Sequence, residues 1–357
     1  MDRLKGLILS GGRGTRLRPI TYTSAKQLVP VANKPVLFYG LEAMADAGIT
    51  DVGIIVAPET ADEIRAAVGT GERFGLAVTY VEQEAPLGLA HALLTAEGFL
   101  ADTPFVMYLG DNLLRDGITD LVETFRSGQP DALILLTPVS DPERYGVAEL
   151  SDGRVVRLVE KPREPRTNLA LVGVYMFAPV IFEAARSIEP SWRGELEITD
   201  AIQTLVDSGK RVDPHIVQGW WKDTGRVEDM LEANRLILDD LQTSLEGELV
   251  ASRVEGRVVI EAGARLERAT VRGPAIVGSG SEISDAYIGP YTAIGDGVVI
   301  DGAELEHSIV LSGSTVRDLE YRIEASLIGR NVRIGRGPAL PKAYRFVVGD
   351  NAEIAIL

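Results

Sequence analysis

Over the first 240 residues, short aliphatic runs alternate with longer stretches whose apolar positions recur at helical spacing. Leu4 to Leu9, Gly53 to Val56, Phe105 to Leu109 and Ala132 to Leu136 carry apolar residues on both faces, the mark of strands buried in a mainly parallel sheet. Leu37 to Ala47, Ala61 to Val68 and Ala90 to Phe99 predict the crossover helices. The alternation predicts an α/β, doubly wound, Rossmann-like domain over residues 1–240. In such sheets ligands bind outside the carboxyl ends of the strands, so the residues just after Leu9 and just after Leu109 are the first candidates for chemistry.

From residue 241 the period changes. Val271, Val277 and Ile283 recur every six residues, as do Ile288, Ile294 and Ile300, and later Ile328 and Ile334. Glycine follows directly at Ile288-Gly289, Ile294-Gly295, Ile328-Gly329 and Ile334-Gly335. This spacing predicts a hexapeptide-repeat, left-handed β-helix over 241–357, in which one aliphatic residue per short face points inward and the small residue after it permits the corner. The interruption between Glu304 and Tyr321 predicts an irregular coil. Stacked coils present flat faces suited to symmetric self-association, so a homo-oligomer is expected.

Composition narrows the chemistry. An apolar share of 45% over 357 residues suffices for two cores. The formal net charge of −16 opposes general binding to nucleic acid, so an anionic substrate must meet a local cluster of Lys, Arg and metal. Without cysteine there is neither a disulfide framework nor a thiolate metal site. Met1 to Lys5 lead into a strand pattern rather than a signal peptide, and no run reaches the roughly 18 to 20 apolar residues of a membrane span. These features predict a cytoplasmic enzyme with no nucleic-acid and no membrane partner. His91, His215 and His307 show no catalytic or zinc spacing, and His91, at a helix start, is expected to pack or cap.

The strongest chemical signal is Leu9-Ser10-Gly11-Gly12-Arg13-Gly14-Thr15-Arg16-Leu17-Arg18-Pro19, directly after the first strand. Its glycines let the backbone turn sharply and present N–H groups to phosphate oxygens, and Arg16 can add a bidentate contact to the same anion. A dinucleotide fingerprint would need G-x-G-x-x-G, which these glycines do not form. Lys26, in Ser24-Ala25-Lys26-Gln27-Leu28-Val29-Pro30, has largely apolar neighbours and reads as an internal cation.

These two segments together resemble the signature of the sugar nucleotidyltransferases, which condense a nucleoside triphosphate with a sugar 1-phosphate. The resemblance implies that Leu9, Gly11, Gly12, Gly14, Thr15, Arg16 and Gln27 bind the nucleotide, with Arg16 on the β- and γ-phosphates and Lys26 at the reacting centre. Met107-Tyr108-Leu109-Gly110-Asp111-Asn112 is similar to the family's strand ending in Gly-Asp, and Trp221-Lys222-Asp223-Thr224-Gly225 to its second acidic segment. Asp111, which also touches the nucleotide, and Asp223 are thereby implied as ligands of Mg²⁺, a hard cation that takes carboxylate, water and phosphate oxygens. Glu160-Lys161-Pro162 resembles the family's Glu-Lys-Pro, with Glu on sugar hydroxyls and Lys on the sugar phosphate. Asn112, Gly146 of the Tyr145-Gly146-Val147 turn, and Val172 and Tyr175 of Leu171 to Tyr175 complete the implied sugar site, the last segment through main-chain groups. Gln83 and Gly88 are implied in base recognition. Gly88-Leu89-Ala90 is similar to the thymidylyl-transferring branch with a β-helical extension, which implies dTTP and glucose 1-phosphate as substrates in deoxysugar synthesis. A uridylyl or other base remains open at this point, because one methyl group is worth only about 1 to 3 kcal/mol in an apolar pocket. A bifunctional acetyltransferase would need a histidine at a coil interface, and only His307 lies in the repeats.

Overall fold

The structure, a computed structural model, describes residues 4–12, 14–337 and 352–353. Arg13 of the glycine loop, the opening Met1 to Arg3 and most of the chain beyond 337 lie outside the described residues. The chain divides into two compact units, Met1–Asp240 and Leu241–Leu357. Among the described residues no helix is long and apolar enough to cross a membrane.

In the first unit nine strands form one sheet: β1 (Lys5–Ser10), β2 (Asp51–Val56), β3 (Ala77–Glu82), β4 (Phe105–Leu109), β5 (Ala132–Pro138), β6 (Gly146–Ser151), β7 (Arg154–Glu160), β8 (Leu169–Phe177) and β9 (Val212–Ile216). The order is β7-β6-β8-β4-β1-β2-β3, with β5 joining β8 to β9. Strands β4, β1, β2 and β3 run parallel. Strand β8 runs antiparallel to β4, β5 and β6, so the sheet is mixed. The parallel part arises because a helix carries the chain from β1 to β2, from β2 to β3 and from β3 to β4, returning it across one face each time.

Alternation along β1 explains the two layers. Leu7 and Leu9 point into a core beneath α3 (Leu89–Thr95), α6 (Ile181–Ser187) and α7 (Ile198–Asp207), while Ile8 points into the core beneath α1 (Val36–Asp46), α2 (Ala61–Val68) and α5 (Thr119–Gly128). The helix expected over Ala90 to Phe99 is divided: Ala96 sits between α3 and α4 (Glu97–Leu100), and its N–H is shared between the Ala92 and Leu93 carbonyls, which tightens the turn. The chain then adds α8 (Val227–Asp239).

From Ser244 to Gly335 the second unit is a left-handed β-helix whose short strands stack into three parallel sheets, and the end of the repeat expected over 241–357 lies outside the described residues. Arg253, Thr270, Tyr287 and Glu304 are successive partners, so most coils are 17 residues long, one short of three hexapeptides. The irregular coil is present: Leu305 pairs with Ile323, 18 residues on, because the chain takes extra residues at Asp318 to Arg322. The corners differ from the expectation. Gly263, Gly280, Gly297 and Gly313 hold the left-handed backbone at one corner, whereas Gly289 and Gly295, which follow the aliphatic residues, do not. What those glycines provide is close approach: a Cβ on Gly295 would stand 2.8 Å from the Ser312 amide of the next coil. Buried serines close the same corners, Ser281 Oγ donating to Gly295 O at 2.8 Å and accepting from Val298 N at 3.1 Å.

Ile300 is fully buried in the column of aliphatic side chains that fills the coils. Ile300→Ala leaves a cavity that stacked backbones cannot collapse to fill, and a loss of about 2–5 kcal/mol is expected, read as a lower urea midpoint with an unchanged slope.

Candidate active site

The glycine loop begins where β1 ends, and it closes over Lys26. A Cβ on Gly12 would lie 3.1 Å from Lys26 Cε, and one on Gly14, whose φ is +60°, would lie 2.8 Å from Lys26 Cβ. Only glycine lets the main chain pass this close to the lysine stem. Thr21 Oγ1 donates to Gly14 O at 2.7 Å and fixes the loop's far end. Leu9, Gly11, Gly12, Lys26, Gln27, Gln83, Gly88 and Asp111 line a cavity of about 250 Å³. Within it Gln83 Nε2 donates to Gly88 O at 3.3 Å and lies 2.9 Å from His91 Nδ1. The histidine thus orients the glutamine amide, whose Oε1 faces the loop at Gly11.

Strand β4 ends at Leu109, and the chain reverses into a two-stranded ribbon in which Asn112 lies opposite Asp223. Thr224 N and Oγ1 both donate to Asp111 O, at 2.9 and 2.8 Å, so the two aspartates are held side by side. Lys26 Nζ pairs with Asp111. Burial works to lower the pKa of Lys26, but attraction to Asp111 and then Asp223 outweighs it and raises the pKa. Burial pushes the Asp111 carboxyl up, and the Lys26 charge with hydrogen bonds from Lys26 and Asn112 carries it below the usual carboxylate range. Asp223 is pushed up to about 6, first by burial and then by Asp111, with Lys26 and Arg16 offsetting only part.

This pair fits a divalent cation. Asp223 Oδ1 is buried without a hydrogen-bond partner among the described residues. Gly225 leaves the adjoining space open: a Cβ there would stand 3.0 Å from Asp223 Oδ1 and 3.5 Å from Arg16 Nη2. Among the described residues no group of three His, Cys, Asp or Glu is placed to hold a metal unaided. Two carboxylates with water and phosphate oxygens is the donor set Mg²⁺ takes.

A second cavity, of about 130 Å³, adjoins the first; Leu89 and Leu109 line both, Asp111 stands in one and Asp223 in the other. Its floor is the Tyr145-Gly146 turn. A Cβ on Gly146 would meet Thr199 Cγ2 at 2.6 Å and Glu160 Oε2 at 2.9 Å, so this position must be glycine. Thr199 Oγ1 donates to Glu160 Oε2 at 3.2 Å, and Lys161 Nζ lies 3.2 Å from Glu160 Oε1. Lys161 N donates to Tyr145 O at 3.1 Å, which ties the Glu-Lys segment to the turn.

The residues read from sequence divide accordingly. Arg16, Asn112, Gly146, Glu160, Lys161, Tyr175 and Asp223 gather at the second cavity. Gly14 and Thr15 line neither cavity; Gly14 shapes the loop and Thr15 is exposed. Val172 sends its side chain into the core beneath α1, away from the cavity that Leu171, Gly173 and Tyr175 line. Asn112 is buried, and its amide bonds three ways: Nδ2 donates to Asp111 Oδ1 at 3.0 Å, while Oδ1 accepts from Trp221 Nε1 at 2.6 Å and Gly173 N at 3.2 Å. Sequence reasoning missed Arg193, which lies 3.6 Å from Glu160 Oε1 and 3.2 Å from Glu197 Oε1, and Thr199. Its signal was slight: one arginine among the acidic residues between Ser191 and Glu197.

Residues 5–240 match the family model described as nucleotidyl transferase. Across 356 residues the chain is 59% identical to a glucose-1-phosphate thymidylyltransferase of Streptomyces antibioticus, covering 99% of each protein. A protein of the same name from Streptomyces griseus is 53% identical over the same share. A crystal structure from Bacillus anthracis, assigned as a glucose-1-phosphate thymidylyltransferase in complex with a sucrose, superposes with a TM-score of 0.63 at 36% identity, over 68% of this chain and 98% of that one.

Gly88 has φ +106°, and a Cβ there would stand 2.4 Å from Leu196 O. Gly88→Ala must therefore displace the first turn of α3 and the Gln83 contact; a loss of at least about tenfold in nucleoside triphosphate affinity is expected, measured by calorimetry beside a thermal melt.

Proposed function

The chain belongs to the nucleotidyl transferase family, and from that premise we propose that it transfers a thymidylyl group from dTTP to glucose 1-phosphate, giving dTDP-glucose and pyrophosphate. The observation that carries this reading is the full-length match to thymidylyltransferases, which spans both units rather than the first alone. The geometry agrees with it. A cavity headed by the glycine loop and one floored by Gly146 meet between Asp111 and Asp223, where a sugar 1-phosphate oxygen can attack the α-phosphorus in line.

The attacking phosphate is already an anion at neutral pH, so no general base is required. The protein's work is to position two anions and offset their charge. Arg16 draws the β- and γ-phosphates, Lys26 the phosphates at the reacting centre, and Lys161 the incoming sugar phosphate. Glu160, held by Thr199 and Arg193, accepts from sugar hydroxyls. Gln83 offers its Oε1 to the imide N–H of thymine while His91 holds its amide. Asp111 and Asp223 would hold Mg²⁺, which when bound would supply neutralisation of phosphate charge.

The β-helix serves self-association in this reading, and the active protein is a cytoplasmic homo-oligomer; light-scattering mass of the full chain tests the assembly. Two kinetic outcomes test the reaction. Pyrophosphate release with glucose 1-phosphate is expected to favour dTTP over UTP by roughly ten- to a hundredfold, the worth of one buried methyl, with ATP and GTP far below both; equal or better use of UTP reassigns the base. Asp111→Asn and Asp223→Asn are each expected to lower kcat by more than about a hundredfold, and a variant that keeps its rate at limiting Mg²⁺ removes that residue from the metal site.

A further inference from the structure

The Asp141 to Tyr145 turn is closed by its own main chain, Arg144 N donating to Asp141 O and Tyr145 N to Pro142 O, each at 3.1 Å. The Arg144 guanidinium is therefore not needed to form it. That side chain instead spans two elements: Nη1 donates to Asp141 Oδ2, and Nη2 to Asp229 Oδ2 at 3.2 Å, in the first turn of α8. The side chains of Arg144 and Asp229 are 24% and 18% exposed, so salt and water screen the pair less than a surface bridge.

Both ends of this link run into the site. On one side Tyr145 O accepts from Lys161 N, the Tyr145 ring meets Trp221 edge-on at 5.3 Å, and Arg144 itself lines the sugar cavity. On the other side α8 begins at Val227, four residues after Asp223.

We propose that Arg144 is a positioning residue: its pair with Asp229 pins the Tyr145-Gly146 turn, and through it Lys161, to the helix that follows Asp223. The floor of the sugar cavity and the second carboxylate then keep one separation. The inference rests on the reaction proposed above, since it needs a sugar 1-phosphate in that cavity.

Full-length Arg144→Gln and Asp229→Asn, the double variant and Arg144→Lys should be compared by steady-state kinetics. Each single variant is expected to raise the KM for glucose 1-phosphate by about tenfold or more, a displacement of well under 1 Å sufficing, while the KM for dTTP stays within about twofold. The double variant should be no worse than the poorer single one, because both remove the same link. Arg144→Lys, which keeps charge but loses the fork, should recover only part. Additive effects, an equal rise in the dTTP KM, or a lower melting temperature with unchanged sugar-phosphate KM would each overturn the proposal. If the wild-type chain does not turn over dTTP with glucose 1-phosphate, the reaction assigned above fails instead. Calorimetric binding of glucose 1-phosphate to the same variants then still tests the link, with a loss of affinity of the same size expected and none overturning it.

Discussion

Two carboxylates and two cations share a small volume at the carboxyl ends of β1 and β4, and the arrangement around them makes that crowding tolerable. Lys26 is tied to Asp111, yet Asp223 keeps an oxygen with no partner among the described residues and a pKa pushed up to about 6. A buried charge left in this condition is costly unless something else completes it. The site is thus pre-strained electrostatically toward a cation and phosphates. Asn112 sets its geometry, because one buried amide joins the end of β4, the middle of β8 at Gly173 and the ribbon at Trp221. The side-by-side placement of Asp111 and Asp223 follows from this join and from the Thr224 hydrogen bonds to Asp111 O rather than from either carboxylate.

Close approach is the second constraint. Gly12 and Gly14 let the loop lie on Lys26, Gly88 lets α3 begin against Leu196, and Gly146 lets the turn sit on Thr199 and Glu160. At Gly88 the neighbour is backbone and at Gly14 and Gly146 it lies within 3 Å, so the glycines define cavity walls as much as they grant conformational freedom. The same physics appears in the second unit, where Gly295 admits the adjacent coil and Gly297 turns the corner.

Legibility in sequence followed chain locality. The parallel half of the sheet and the place of the glycine loop and of Asp111 at its strand ends were readable because a strand and its turn are contiguous, and the carboxyl-end rule then points to the cavity there. The sugar cavity was readable only by motif resemblance. Its walls come from β6, β7, β8 and the first turn of α7, and the demand for glycine at 146 is set by Thr199, which no local pattern announces. The fully apolar run Leu169 to Phe177 could have been read as a central strand, but its antiparallel direction depends on partners far along the chain. Val172 illustrates the limit: a strand segment implied for sugar contact alternates, so its neighbours Leu171 and Gly173 face the cavity while Val172 packs in the core. In the β-helix the period of aliphatic residues located the coils correctly. The corner glycine was misplaced because glycine after the aliphatic residue and glycine two positions later answer different needs, approach and left-handed backbone, which composition cannot separate.

The division between the two units has a chemical basis. Nucleotidyl transfer without a general base depends on fixing four or five charged groups within a fraction of an ångström, and a mixed sheet with helices on both faces supplies rigid strand ends for that purpose. A β-helix supplies repetition instead. Each coil contacts only its neighbours, its column is aliphatic, and its outward charges pair within the stack, as Arg268 does with Asp285 one coil away. Such pairs are exposed and contribute little to stability. What they do is keep the outer faces regular and matched in charge from coil to coil. Regularity of that kind follows from repetition, and it has no use at a site where every group must differ from its neighbour.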